Sequence, residues 1–327
     1  MSKFIAIWRR NPTEIVSREK LRMICRLLEP DNIKANQPIV YTSASWSYGI
    51  MNPVKSVLSS DFGLMLGNLL GDNPDWDRVG EPVPDGTFAL VRNAEDIAEI
   101  CTDYSASRSI WYCMADEEMI VSSSQRAIVM YLGSLEWNDE VIPWMMSTGS
   151  LGPYLSWDKR IKLLPGNAIL KLEKAEWAYS IQRTPFEYKG SDKKDEEIKA
   201  DLLQSISRTF ANLDLRNANW AVTLSGGKDS RGIFLLTQKL AKIKDRLPTF
   251  TYGLKGQEKV KTTDGYIAKR LAEKYGASNA YFDALSLSTN ETIETICNRL
   301  LKAGEGRVDH IVAYLDGMQF WKYLFES

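Results

Sequence analysis

What most constrains this chain is a change of hydrophobic period near residue 190. Before it, short β-forming runs alternate with turn residues: Thr87–Arg92 after Asp85-Gly86, then Ile97–Thr102, Ser109–Met114 and Met119–Ser123. Ala168–Leu172 follows Pro165-Gly166, and Trp177–Gln182 comes next. Helical spacing is subordinate there, at Ser17–Leu28 and Gln125–Leu132. The pattern predicts an α+β domain with much antiparallel pairing. Glu187–Glu197 (EYKGSDKKDEE) is almost devoid of apolar residues and reads as a solvated linker; the alternative is the charged start of a helix. Beyond it, Ile198, Leu202, Ile206, Phe210 and Leu213 recur at helical spacing. Next come a strand at Trp220–Leu224, a loop at Ser225–Ser230 and a helix at Arg231–Lys242. A strand at Thr249–Leu254, a helix at Thr263–Tyr275 stopped by Gly276, a strand at Ala280–Asp283 and a helix at Glu291–Ala303 complete the series. Strands alternating with helices predict a parallel α/β sheet, so the domains are 1–190 and 191–327.

Composition removes several classes of function. Lys plus Arg (41) and Asp plus Glu (42) nearly cancel, leaving a formal net charge of −1. Such a chain has no electrostatic footprint for nucleic acid or an anionic membrane surface. Cys25, Cys101, Cys113 and Cys297 form no C-x-x-C, which argues against structural zinc, iron–sulfur and dithiol chemistry. A single histidine, His310, removes most catalysis built on imidazole. No stretch approaches the length of a membrane span, and the first ten residues are too short an apolar run for a signal peptide. A reduced, cytoplasmic protein is expected.

The chemistry is concentrated in Ser225-Gly226-Gly227-Lys228-Asp229-Ser230. Two glycines let backbone approach a ligand without Cβ interference. Successive N–H groups in such a turn make an anion-binding nest, and the following helix points its positive end at the same place. Ser225 and Ser230 can add hydroxyl donors, and Lys228 and Arg231 positive charge. Asp229 alone would repel phosphate, so its presence implies a bridging Mg²⁺. The spacing is neither G-x-x-x-x-G-K-[ST] nor G-x-G-x-x-G.

S-G-G-x-D-S between a strand and a helix resembles the PP-loop of ATP pyrophosphatases, which cleave ATP between the α and β phosphates. Other segments occur in the order seen in the asparagine synthetase family. They are Asp85–Leu90, Thr102-Asp103 with Arg108, Trp111-Tyr112, Ser122–Ala127, Leu163–Asn167, Tyr252-Gly253 with Asp264 and Ala268, and Val308–Ile311 through Tyr314 and Asp316. The resemblance is clear from about residue 85 onward and loose over 1–80. It implies an N-terminal-nucleophile (class II glutamine amidotransferase-like) domain, then a PP-loop domain of the adenine nucleotide alpha hydrolase-like kind. The implied reaction is amide formation through an acyl-adenylate, with ATP and Mg²⁺. Lys228 and Asp229 would be catalytic, with Asp229 also holding Mg²⁺. Ser225, Gly226, Gly227 and Ser230 would hold pyrophosphate, Tyr252 and Gly253 would lie along adenosine, and His310, Tyr314 and Asp316 would line the substrate cleft.

Two departures shape the expectation. Glutamine-using members place a cysteine after the initiator methionine, where this chain has Ser2 followed by Lys3. That is similar to the β-lactam synthetases and lasso-peptide cyclases, in which an amine of the substrate itself attacks and the first domain persists as scaffold. The family's second phosphate-holding loop is expected beyond Phe320–Phe325, so the chain reads as truncated and the isolated polypeptide as weakly active. The apolar residues of 308–327 then predict a homo-oligomer or a second polypeptide as partner. Three other readings stand: a glutamine- or ammonia-dependent asparagine synthetase, a PP-loop RNA-modifying enzyme, and a non-catalytic nucleotide- or partner-binding fragment. The carboxylate substrate, a small molecule or peptide, has no signature in the sequence.

Overall fold

In the computed structural model, residues 2–30, 33–115, 117–216, 220–283, 292–295 and 297–298 are described. Contacts divide them into two units, one made mainly of 2–69 and 73–186 and the other of 187–283 with 70–72.

The first unit contains β1 (Lys3–Arg9), α1 (Arg18–Leu27), β2 (Ile39–Thr42), β3 (Ser47–Met51), β4 (Val57–Ser59) and β5 (Gly63–Leu69). It continues with β6 (Gly86–Asn93), β7 (Ile97–Thr102), β8 (Trp111–Ala115), β9 (Glu118–Ser122), α2 (Gln125–Leu132), α3 (Val141–Thr148), β10 (Lys162–Leu163), β11 (Ala168–Glu173) and β12 (Ala178–Arg183). These strands form two six-stranded sheets, β10-β8-β9-β1-β3-β2 and β12-β11-β7-β6-β5-β4. Every pairing in them is antiparallel.

Strand alternation explains the layering. In β1, Phe4, Ala6 and Trp8 join the core shared by both sheets, with Ala89, Val91, Ile100 and Leu170 of the second sheet. Ile5 and Ile7 point the other way, onto Leu21, Ile24 and Cys25 of α1 and Ala127 and Ile128 of α2. With both faces covered, β1 needs a continuous apolar run, and KFIAIWR supplies it. Helix α1 starts because the Ser17 side chain accepts from Lys20 N, a cap worth about 1 kcal/mol. Helix α2 stops at Gly133, where φ of 75° is open to glycine.

The outer face of the second sheet carries Met65, Phe88, Leu90 and Cys101, with Trp76 and Val83 of the 73–85 loop against it. Arg92 lies on the same face, fully buried. Its Nε donates to Trp76 O (2.8 Å), Nη1 to Glu81 O (2.6 Å) and Nη2 to Pro82 O (3.0 Å), and Nη1 lies 3.4 Å from Glu99 Oε2. Gly80 N donates to the same carboxylate at 3.2 Å. One guanidinium thus ties the loop down.

The second unit holds α4 (Asp195–Ala211), β13 (Val222–Thr223), α5 (Lys228–Leu240), β14 (Thr249–Gly253), a 3-10 turn at Gln257–Lys259, α6 (Asp264–Tyr275) and β15 (Asn279–Asp283). The strands run parallel in the order β13-β14-β15. Leu224, Phe234 of α5, and Ala268 and Ala272 of α6 share one cluster, which places both helices on the same face.

Three expectations shift. The solvated segment ends at Lys194, because Asp195-Glu196-Glu197 is the first turn of α4, where acidic side chains suit the positive helix end. The Glu197 carboxylate accepts from Lys194 N at 3.1 Å, which closes that turn. Leu213 lies past the end of α4, and the helix has no buried residue; Leu202 is 58% exposed. The loop of Ser225–Ser230 is shorter than expected, since α5 begins at Lys228 and ends at Leu240. The expected helix 291–303 and the apolar segment 308–327 lie almost wholly outside the described residues.

Candidate active site

Parallel strands put their carboxyl ends on one edge, and open α/β sheets bind ligands there. Here that edge collects the turn after Leu224, the end of β14 at Tyr252-Gly253, and Asp283 of β15. Side chains tie the strands to one another, Thr251 from the middle of β14 and Asn279 from the amino end of β15. Thr251 Oγ1 donates to Leu224 O (2.6 Å), and Asn279 Nδ2 donates to Thr249 Oγ1 (2.9 Å) and Thr251 Oγ1 (3.1 Å).

The serines of the loop brace it. Ser225 Oγ and Ser230 Oγ are 2.8 Å apart. Ser225 N donates to Ser230 Oγ, and Gly227 N to Ser225 Oγ, both at 3.1 Å. Gly226 N donates to Asp264 Oδ1 at 3.1 Å, linking the loop to the first residue of α6. Glycine leaves room here, since a Cβ would sit 2.6 Å from Asp264 Oδ1 and 3.0 Å from Ile267 Cδ1 and push those side chains aside. The glycine amides are therefore turned to internal partners. The amides left without an intrahelical partner are those of Lys228, Asp229 and Ser230 in the first turn of α5, which has no side-chain cap. Lys228 and Asp229 are exposed at that end, and Arg231 Nε turns back to Gly227 O at 3.1 Å.

Tyr252 is 58% exposed. Gly253 and Gly265 are both shaped by Tyr281: a Cβ on Gly253 would lie 2.5 Å from Tyr281 Oη, and one on Gly265 2.5 Å from its ring. Tyr281 Oη donates to Leu254 O at 2.8 Å. Burial, then the nearby Glu258 and Asp283 charges, raise the phenol above its ordinary value. His310, Tyr314 and Asp316, expected in a cleft, lie outside the described residues. Sequence reasoning missed Thr251, Asn279 and Tyr281 as supports. Only the two glycines facing Tyr281 left a mark of it in the sequence.

Three or more metal-ligating side chains do not converge anywhere among the described residues. Mg²⁺ carried in with phosphate needs fewer protein ligands, because this ion takes one or two carboxylates and fills its shell with phosphate and water oxygens. Asp229 is exposed at the loop, and Asp264, also exposed, touches the loop through Gly226 N.

In the first unit, Ser2 is only 7% exposed and its Oγ donates to Asn52 O at 2.7 Å. No helix among the described residues is long and apolar enough to cross a membrane.

No protein-family model matches the chain, and no curated protein matches it. Similar solved structures include a glutamine phosphoribosylpyrophosphate (PRPP) amidotransferase from B. subtilis complexed with ADP and GMP, at 8% identity and a TM-score of 0.34, covering 95% of this chain and 96% of that one. An allosteric regulatory enzyme of purine biosynthesis aligns at the same identity and score, covering 95% of each chain. Likeness at that level carries no argument, and the fold described here rests on the chain's own strands and pairings.

Proposed function

We propose that the second unit binds ATP–Mg²⁺ through residues 225–230 and activates a carboxylate as its adenylate for attack by an amine, in the manner of the asparagine synthetase family. The observation that carries this is a serine-braced S-G-G-x-D-S turn at the carboxyl end of a parallel strand, running into an uncapped helix start. The open amides of Lys228, Asp229 and Ser230 and the helix's positive end would hold pyrophosphate as the α–β bond breaks. The Lys228 ammonium would offset its growing charge, and Asp229 would hold Mg²⁺. Tyr252 and Gly253, on the same edge, would lie along adenosine. We read the first unit as an N-terminal-nucleophile-like scaffold without glutaminase activity, because the Ser2 hydroxyl is already committed to a backbone carbonyl.

Titration calorimetry with ATP–Mg²⁺ and with inorganic pyrophosphate tests the reading. Asp229→Ala should weaken Mg²⁺-dependent binding by about tenfold, roughly 1.4 kcal/mol. Equal affinity of wild type and variant would refute it.

A further inference from the structure

The turn that follows β14 is fixed by a side chain from the next strand. Tyr281 stands opposite Thr251 in the β14–β15 pairing, and its phenol reaches past the end of β14 to donate from Oη to Leu254 O at 2.8 Å. The same carbonyl accepts from Gln257 N at 3.1 Å. That second bond is local and sets the shape of the 254–257 turn. The phenol comes from 27 positions away and sets where the turn stands relative to the sheet. Leu254 is exposed, so packing does little to hold it.

Two glycines on different elements leave a slot for the phenol. A Cβ on Gly253 would lie 2.5 Å from Tyr281 Oη but 3.4 Å from Cζ, so only the hydroxyl conflicts there. A Cβ on Gly265, in the first turn of α6, would lie 2.5 Å from Cε2 and 3.2 Å from Cδ2, so there the ring itself conflicts. The oxygen thus meets the strand end and the ring meets the helix. The hydrogen bonds that brace 225–230 run elsewhere, among Ser225, Ser230 and the loop amides and from Gly226 N to Asp264.

We propose that Tyr281 is a positioning residue for the nucleoside half of the nucleotide: its hydroxyl holds Gly253 and Leu254 where adenosine would lie, while residues 225–230 set the phosphate half independently. The inference rests on the ATP-binding reading above. A peptide unit is planar, so pinning Leu254 O pins the whole 254–255 peptide. A surface already in place loses less conformational freedom when a ligand docks. A ligand that carries a nucleoside therefore senses the Tyr281 hydroxyl, and pyrophosphate does not.

The test is titration calorimetry on the full chain with ATP–Mg²⁺ and, separately, pyrophosphate–Mg²⁺. Tyr281→Phe keeps the ring in its slot and removes one hydroxyl. The net contribution of one hydrogen bond sets the expectation: ATP affinity about fivefold weaker, pyrophosphate affinity unchanged. A merely structural role would weaken both ligands alike. Gly253→Ala gives a second measure. Its methyl displaces the hydroxyl in the wild type, but in the Tyr281→Phe background it meets only ring carbon at an ordinary distance, so it should cost less ATP affinity there. Wild type that fails to bind ATP–Mg²⁺ overturns the ATP reading and the role of Tyr281 with it. Wild type that binds both ligands, with Tyr281→Phe weakening neither or both equally, overturns the role of Tyr281 and leaves the ATP reading in place; equal cost of the alanine in the two backgrounds does the same.

Discussion

Replacing Arg92 by methionine should unfasten the 73–85 loop and cost the first unit much of its stability. Methionine keeps most of the aliphatic packing but removes donors to three backbone carbonyls, those of Trp76, Glu81 and Pro82, and the partner of Glu99. Glu99 keeps Gly80 N, so its charge is not wholly stranded. Removing one member of a buried pair costs about 3–5 kcal/mol, and each charge-assisted hydrogen bond lost adds to that unless water reaches the carbonyl. A loop that lifts readmits water, which holds the total near 4 kcal/mol, about a thousandfold in the folding equilibrium. Urea unfolding followed by tryptophan fluorescence reads the core directly, since Trp8 and Trp46 sit between the sheets. With a slope of about 2 kcal/mol/M the midpoint should fall by about 2 M, and proteolytic cutting within 73–85 should accelerate. Adding Glu99→Leu should recover about half the loss, because no unpaired charge then remains. A midpoint shift below about 0.5 M with unchanged cutting would refute the view that Arg92 is what holds the loop.

Acid should also act on the first unit. Burial raises the Asp103 carboxyl, but hydrogen bonds from the Ser107 hydroxyl and from Ser107, Phe88 and Ser105 amides outweigh it and hold it below the usual range. Its stabilisation is therefore present above the unfolded value of about 3.9 and lost as pH falls through the lower folded one; urea midpoints of Asp103→Asn should drop less than wild type between pH 6 and pH 3, and parallel curves would contradict this. Gly226→Ala should disturb the Asp264 brace at an overpacking cost of about 1–3 kcal/mol and weaken ATP–Mg²⁺ binding, read by melting and calorimetry; wild-type values in both would show that the contact yields freely. Ser2→Ala should lose about 1 kcal/mol with its bond to Asn52 and change no ammonia release from glutamine; enzymatic release by wild type that the variant abolishes would establish a glutaminase.

Legibility followed local chemistry. Helix α2 and strand β7 were readable to the residue, because Gly133 ends one and Thr102 closes a clear β-forming run in the other. The strands before residue 70 were not. β1 is apolar on both faces and shows no alternation, while β3 and β5 carry glycines that weaken a strand signal. Gly49 is there for packing, since a Cβ would meet Cys25 Sγ at 2.7 Å, and only a fold reveals that. At the loop, the sequence marked Ser225 and Ser230 as donors to a ligand, yet their nearest partners are each other and the loop amides. Such bracing depends on a turn geometry that residue types do not encode. Asp264 had the signal of a helix start after Thr263, but nothing linked it to Gly226, which is 38 positions away.

The central place of β1 has a consequence for how the polypeptide reaches this state. Ile5 pairs with Ser122, and Ile100 with Leu170, so neither sheet can close around its middle strands until residues far downstream have arrived. Such long-range pairing makes for slow folding and long exposure of unpaired strand edges. The β13-β14-β15 sheet is built from neighbours in sequence and can assemble as it emerges. On a ribosome, the opening segment KFIAIWR would wait, apolar on both sides, while most of the first unit is still being made. Its two apolar faces stay uncovered until α1, α2 and the second sheet are in place, although both are covered once folding is complete.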